Sequence, residues 1–189
     1  TTPRRMRSAV HKEACYERVQ FCSRGESLQL VASYHRTPDA TGAVILAHGR
    51  DSCRGDELRG TTLSLVLELA SRGLSVIMVD LRGHGESGWS ADGDYQMELF
   101  AADLASVARQ MGNRPALIGA SLGGLAGLLA EAEVAPGSFS SITLVDIVPD
   151  MNLEGAAKIM AFMSAHAGQG FESLEAASDV ISAYLGTGH

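Results

Sequence analysis

Residues Gly119-Ala120-Ser121-Leu122-Gly123 constrain this chain more than any other stretch. They fit the pattern G-x-S-x-G. Before them, Ala116-Leu117-Ile118 follows Pro115 as an apolar run of buried-strand length. After them, residues 122–133 are rich in Leu and Ala and read as a helix. A strand that passes into a helix through so short a turn holds its serine in a strained backbone, so the neighbours must be small. Gly119 and Gly123 let strand and helix approach closely, and Gly124 adds room. The Ser121 hydroxyl then points out of the sheet top, at the positive end of the helix. The N–H of Leu122 faces the place where an oxyanion would form. The same five letters occur as an ordinary glycine-rich strand–helix turn in doubly wound folds, so the rest of the chain has to decide.

A chain of 189 residues with 46% hydrophobic content can bury one substantial core, and one domain is expected. A net charge of -7 argues against nucleic acid and anionic membrane as partners. The charge is uneven: residues 1–24 carry a local +4, which reads as a solvated basic tail. No apolar run is long enough to span a bilayer, and no signal-peptide core is visible. Cys15, Cys22 and Cys53 are odd in number and contain no C-x-x-C, so they give neither a disulfide framework nor a zinc spacing. A reducing cytoplasm is the simplest compartment, and Cys53 reads as structural. No metal or organic cofactor is implied.

Taken in order, residues 1–15 read as a loose tail. Residues 17–23 and 28–35 are β-prone around Gly25-Glu26, a hairpin. Residues 43–47 are a continuous apolar strand ending in His48-Gly49-Arg50. Residues 56–72 carry a helical stripe stopped by Gly73, and residues 74–79 form another buried strand. That strand runs into Asp80-Leu81-Arg82-Gly83-His84-Gly85-Glu86-Ser87. Asp92, Gly93 and Asp94 break the chain, as if to cap a helix over 95–111. Its Met97, Phe100, Leu104, Val107, Ala108 and Met111 share one face. After the serine turn and its helix, residues 142–148 read as a strand with Asp146 inside it. Two helices follow without a strand between them, over 154–167 and 172–185. Their apolar stripes suit core packing or a lid. Strands alternating with helices predict an α/β fold, a mostly parallel sheet with helices on both faces. Ligands of such sheets bind beyond the carboxyl ends of the strands. His48-Gly49, Asp80, Ser121 and Asp146 all fall at such ends.

Together these residues resemble the α/β-hydrolase superfamily, in its cap-bearing, esterase-like branch. The resemblance runs from about Glu17 to the end of the chain. Three motifs in order carry it: His48-Gly49-Arg50, the loop 80–87, and the serine turn. It implies a core over 16–149 and a helical cap segment over 150–189, behind the tail 1–15. It also implies that Arg50 supplies the second oxyanion N–H beside Leu122, that His48 and Gly49 contact substrate, and that the loop 80–87 shapes the pocket wall. No catalytic role falls to His84. Such enzymes order their triad Ser, acid, His, and the acid and histidine usually follow further core strands. Here the chain stops at His189, so the usual acid and histidine loops are expected to be missing. Val145-Asp146-Ile147-Val148-Pro149 offers Asp146 as the acid, or as an aspartate holding the cap hinge. Gly186-Thr187-Gly188-His189 offers His189 as the base, or a floppy end. His166 is a looser candidate.

The resemblance implies a serine hydrolase acting on a small, largely apolar ester or related acyl compound through Ser121. A C–C bond hydrolase and a cofactor-free haloperoxidase use the same turn and stay open. So does an inactive product that at most binds a small apolar ligand. Missing core strands would also leave an exposed edge through which copies could associate.

Overall fold

The computed structural model of this protein describes residues 16–23, 28–49, 52–53, 60–112, 114–148, 153–165 and 170–186. Its apolar runs are the strands of a six-stranded sheet: β1 (Tyr16–Cys22), β2 (Gln29–His35), β3 (Gly42–Ala47), β4 (Leu74–Val79), β5 (Ala116–Ala120) and β6 (Ser141–Val145). The strand order is β1-β2-β4-β3-β5-β6. β1 and β2 form the expected hairpin, with Tyr16 opposite His35 and Cys22 opposite Gln29. β2 also runs antiparallel to β4, whereas β4, β3, β5 and β6 are parallel.

The central strands are apolar on both faces because helices cover both. Ile45, Ala47, Ile77, Val79 and Leu117 pack on one face with Phe100, Ala101, Leu104, Val107 and Ala126. These helical residues come from α2 (Met97–Gln110) and α3 (Leu122–Leu129). Val44, Leu46, Val76 and Met78 face the other way and meet Val66 of α1 (Gly60–Ser71). Each aliphatic side chain taken fully out of water in this way contributes about 1.5–3 kcal/mol. The alternation along β3, Val44 and Leu46 against Ile45 and Ala47, is the period of two of a pleated strand.

Several boundaries differ from the sequence reading. α2 begins at Met97, not Tyr95: its N-cap is Gln96, extended at φ -64°, ψ 150°, with no side-chain cap. Asp92 and Asp94 fold the preceding turn instead of capping the helix. Asp92 accepts the Ser90 hydroxyl, and Asp94 accepts the Gln96 N–H at 3.1 Å. α3 widens after Leu129 into a π-helical turn, Ala130–Val134, closed by Ala135 N–H donating to the Ala130 carbonyl at 2.8 Å. β6 ends at Val145, so Asp146 lies beyond the strand and not inside it. The cause is local: Asp146 has φ +55°, which no strand can continue through.

The chain divides into two compact units, Thr1–Pro149 and Asp150–His189. The second contains α4 (Leu153–Ala165) and α5 (Leu174–Leu185). The Ser173 hydroxyl caps α5 by accepting the Ala176 N–H at 3.1 Å, and Gly186 ends it in the left-handed conformation, φ +68°. Phe162 and Tyr184 stack with ring centroids 3.9 Å apart. Among the described residues no helix is long and apolar enough to cross a membrane.

Candidate active site

β5 runs straight to Ala120, and Ser121 makes the turn into α3. Its backbone sits at φ +44°, ψ -109°, a conformation L-residues rarely adopt and that costs about 1–3 kcal/mol. Hydrogen bonds on each side impose it. The Ser121 N–H donates to the Val145 carbonyl at 3.3 Å, and its own carbonyl accepts the Leu125 N–H at 3.0 Å. The Gly123 N–H donates to the His48 carbonyl at 3.1 Å, tying the end of β3 to the helix start. The Ser121 side chain is exposed.

The glycines around it are required by close approach. A Cβ on Gly123 would lie 2.5 Å from the Ala47 carbonyl oxygen, and one on Gly119 would lie 2.6 Å from the Gly124 nitrogen. Both obstacles are backbone and cannot rotate away. We therefore expect Gly123→Ala to cost about 3 kcal/mol or more, the upper end of the cost of overpacking. Urea denaturation checks this, and a midpoint equal to that of the wild type would show that the junction of β3, β5 and α3 yields more easily than its distances imply.

Leu122 is the first residue of α3, so its N–H has no acceptor within the helix. The Gly49 backbone lies against the serine: a Cβ built on Gly49 would be 3.5 Å from Ser121 Cβ. Arg50, His166 and His189 lie outside the described residues. Asp146 is brought alongside the serine by register. Ala120 pairs with Val145, so Ser121 and Asp146 are the first residues beyond the ends of neighbouring strands, both with positive φ. Asp146 is exposed.

His48 behaves differently from the expected substrate contact. Its side chain is fully buried. Nε2 accepts the Leu81 N–H at 3.0 Å, and Nδ1 lies 2.6 Å from the Gly49 carbonyl oxygen. The ring is a strut between two loops, not a pocket wall.

The loop 80–88 is wound tightly onto β2. Ser87 Oγ donates to the Asp80 carbonyl at 2.6 Å and accepts the Val31 N–H at 2.8 Å, and Gly88 N–H donates to the Gln29 carbonyl at 2.8 Å. The buried Asp80 carboxylate accepts the Glu86 N–H at 2.9 Å. Arg82 leaves this loop inward and meets Asp103 of α2 in a bidentate pair, Nε to Oδ2 at 2.7 Å and Nη2 to Oδ1 at 3.0 Å. The sequence reading missed this pair. Its signal was a charge, Asp103, on the apolar stripe of the helix between Phe100 and Leu104. The His84 ring lies 5.0 Å from that of His48 and 6.4 Å from that of Phe100, with Nδ1 2.8 Å from the Arg82 carbonyl oxygen.

Cys22 is exposed and Cys53 half-buried, neither in a disulfide, and the described residues hold no cluster of three metal-ligating side chains. A cavity of about 800 Å³ lies elsewhere, lined by residues such as Tyr34, Arg36, Thr37, Gly42 and Gln110. It sits toward the amino end of β3 and includes none of the site residues. The site is therefore located by the strand-end rule and the strained serine, not by cavity size.

A strained, exposed serine between the fifth strand of a mostly parallel sheet and the following helix defines a class of fold. The chain belongs to the alpha/beta hydrolase fold family, whose model matches residues 42–171. Among curated proteins it is 35% identical over 107 residues to the esterase Rv0045c of Mycobacterium tuberculosis, covering 56% of this chain and 33% of that protein. It is 31% identical over 157 residues to the mouse sn-1-specific diacylglycerol lipase ABHD11, covering 78% of this chain and 48% of that one. The chain thus spans a third to a half of the length of these relatives. A solved alpha/beta hydrolase from Novosphingobium aromaticivorans superposes with a TM-score of 0.69 at 26% identity, over 90% of this chain and 57% of the other.

Proposed function

We propose that this protein is a serine hydrolase acting on a small, largely apolar carboxylic ester or related acyl compound. The observation that carries this is the backbone of Ser121, held at φ +44° with its side chain exposed at the start of α3. Ser121 Oγ attacks the substrate carbonyl, a base takes its proton, and an acyl-enzyme forms that water later hydrolyses. The N–H groups of Leu122 and Arg50 hold the oxyanion. Asp146 is the acid in this reading, supported by its register beside Ser121. His189 is the base, an assignment that rests on the sequence alone. Exposed Val145 and Val148 put apolar surface beside the same strand end, which suits an apolar acyl or alcohol group. Two relatives are named as an esterase and a lipase, which favours ester substrates over the C–C bond and haloperoxidase alternatives. The helical pair over 150–189 is the cap in this proposal.

A fluorophosphonate probe tests it. The natural protein is expected to be labelled on the peptide that contains Ser121, and deletion of Gly188-His189 to abolish labelling while His166→Ala does not. Labelling elsewhere, or none, would reject the assignment of Ser121. Labelling that survives the deletion would reject His189 alone.

A further inference from the structure

The cavity of about 800 Å³ at the amino end of β3 takes no part in the serine chemistry. It exists because α2 stops short. The helix ends at Gln110, and Gly112 turns the chain away at φ +75°, which leaves the first row of the sheet on that face uncovered. Gln110 donates to the Cys22 carbonyl at 3.1 Å and so ties the helix end to β1, closing one wall. The volume is that of sites that hold small molecules.

Register sorts the lining into a polar end and an apolar floor. His35 pairs with Val76, so Arg36 comes level with Ser75, which itself pairs with Ala43. Tyr34 pairs with Ile77 one row further in, and Val19 and Phe21 of β1 follow. Phe21 is opposite Leu30, so the trough runs about 20 Å along the strands from Arg36 to Phe21. Both polar groups at its end have donors to spare. Ser75 interrupts an otherwise apolar strand and is 4% exposed. Its Oγ accepts the Thr37 N–H at 3.1 Å, and its own hydrogen meets no acceptor among the described residues. A buried hydroxyl that leaves its hydrogen unused forfeits a hydrogen bond. The Arg36 guanidinium sits over the Tyr34 ring, 4.7 Å from the centroid, and makes no hydrogen bond to a described residue. Its ion pair with Glu17 is long, 3.8 Å, and exposed, so it holds the charge only weakly. A fork of guanidinium donors beside a hydroxyl donor is a receptor for a carboxylate. Asp39, exposed at the rim, is the one acidic residue of the lining.

We propose that this cavity is a second, non-catalytic binding site for an amphipathic carboxylate of the fatty-acid class. The carboxylate is held by Arg36 and Ser75, and the acyl chain lies along Ile77, Val19 and Phe21. The site is at the amino end of β3, whereas Ser121 follows the carboxyl end of the parallel strand β5, so both can be filled at once. It does not depend on the serine-hydrolase reading.

Calorimetric titration of the natural protein with dodecanoate, kept below its micelle concentration, tests this. Saturable binding at one site is expected, weaker at high salt. Arg36→Met is expected to weaken it about tenfold, the loss of a charge-assisted hydrogen bond. Ser75→Ala is expected to weaken it about threefold, the loss of a neutral one. Asp39→Asn, which removes a like charge from the rim, is expected to tighten it about twofold. Arg36 and Asp39 are exposed, so these two variants keep the wild-type melting temperature. Dodecyltrimethylammonium, the same chain with a cationic head, is expected to bind at least about tenfold more weakly. No saturable binding, equal affinity for the two head groups, or wild-type affinity in Arg36→Met would overturn the proposal. So would weaker binding in Asp39→Asn, which would make the head group a cation. Saturating dodecanoate leaves the rate of fluorophosphonate labelling at Ser121 unchanged. A block of labelling that Arg36→Met does not relieve would put the ligand at the catalytic end and overturn the proposal as well. A protein that the probe never labels rejects the serine-hydrolase reading and leaves this test intact, because the titration needs no turnover.

Discussion

Ser121→Ala is expected to lower ester turnover at least about a thousandfold with almost no change in melting temperature, and Ser121→Gly to lower it as far while raising the melting temperature by about 2–4 °C. The first half follows from chemistry: without the hydroxyl there is no acyl-enzyme, and what remains is what the oxyanion donors and binding supply on their own. The second half follows from the backbone. At φ +44° a Cβ is strained whether it carries a hydroxyl or not, so alanine inherits the penalty of about 1–3 kcal/mol and glycine escapes it. Against that gain stands the larger conformational freedom of glycine in the unfolded chain, about 0.5–1 kcal/mol. The net is about 1 kcal/mol, and in a protein of this size each kcal/mol moves the melting temperature by about 2–4 °C. Calorimetry on the two variants decides it. If they melt together, Ser121 is not a store of strain. If either retains turnover, Ser121 is not the nucleophile.

The largest stability effect belongs to a residue that touches no substrate. Asp103→Ala is expected to cost about 3–5 kcal/mol, because it removes the carboxylate that pairs bidentately with a buried guanidinium. The side chains of Arg82 and Asp103 are 1% and 0% exposed, so water cannot replace the lost partner. The surface pair of Arg18 with Glu86, each side chain more than half exposed at 3.2 Å, makes the contrast. Its removal should cost no more than about 1 kcal/mol. Replacing Arg82 by Met and Asp103 by Leu together should recover most of the loss, since two apolar groups of similar volume owe no desolvation. Urea midpoints of the single and double variants measure this. A double variant as unstable as Asp103→Ala would mean that the hydrogen-bond geometry, not the buried charge, sets the cost.

Much of the fold is written in local patterns. Residues 74–79 are apolar but for Ser75 and form β4 with the same limits, because a strand covered on both faces has no need of polar alternation. Gly119, Ser121 and Gly123 announce the turn because only small residues survive the contact distances there. The mostly parallel sheet follows from strands and helices taking turns along the chain. What the sequence could not settle is wherever a residue's role depends on partners far away in the chain. Asp146 leaves the strand because its backbone turns to φ +55°, a choice no propensity of Val-Asp-Ile announces. His48 reads as a residue at the substrate, yet the Leu81 N–H, 33 positions on, draws its ring inward. Asp103 reads as a blemish on an apolar stripe until Arg82, 21 positions earlier, arrives to pair with it. The sequence by itself determined which residues could form strands, helices and a tight serine turn, because those depend on side-chain size and polarity over a few neighbours. Tertiary structure alone decided which buried polar groups meet, because a buried donor or charge takes whichever partner the packed chain brings within reach.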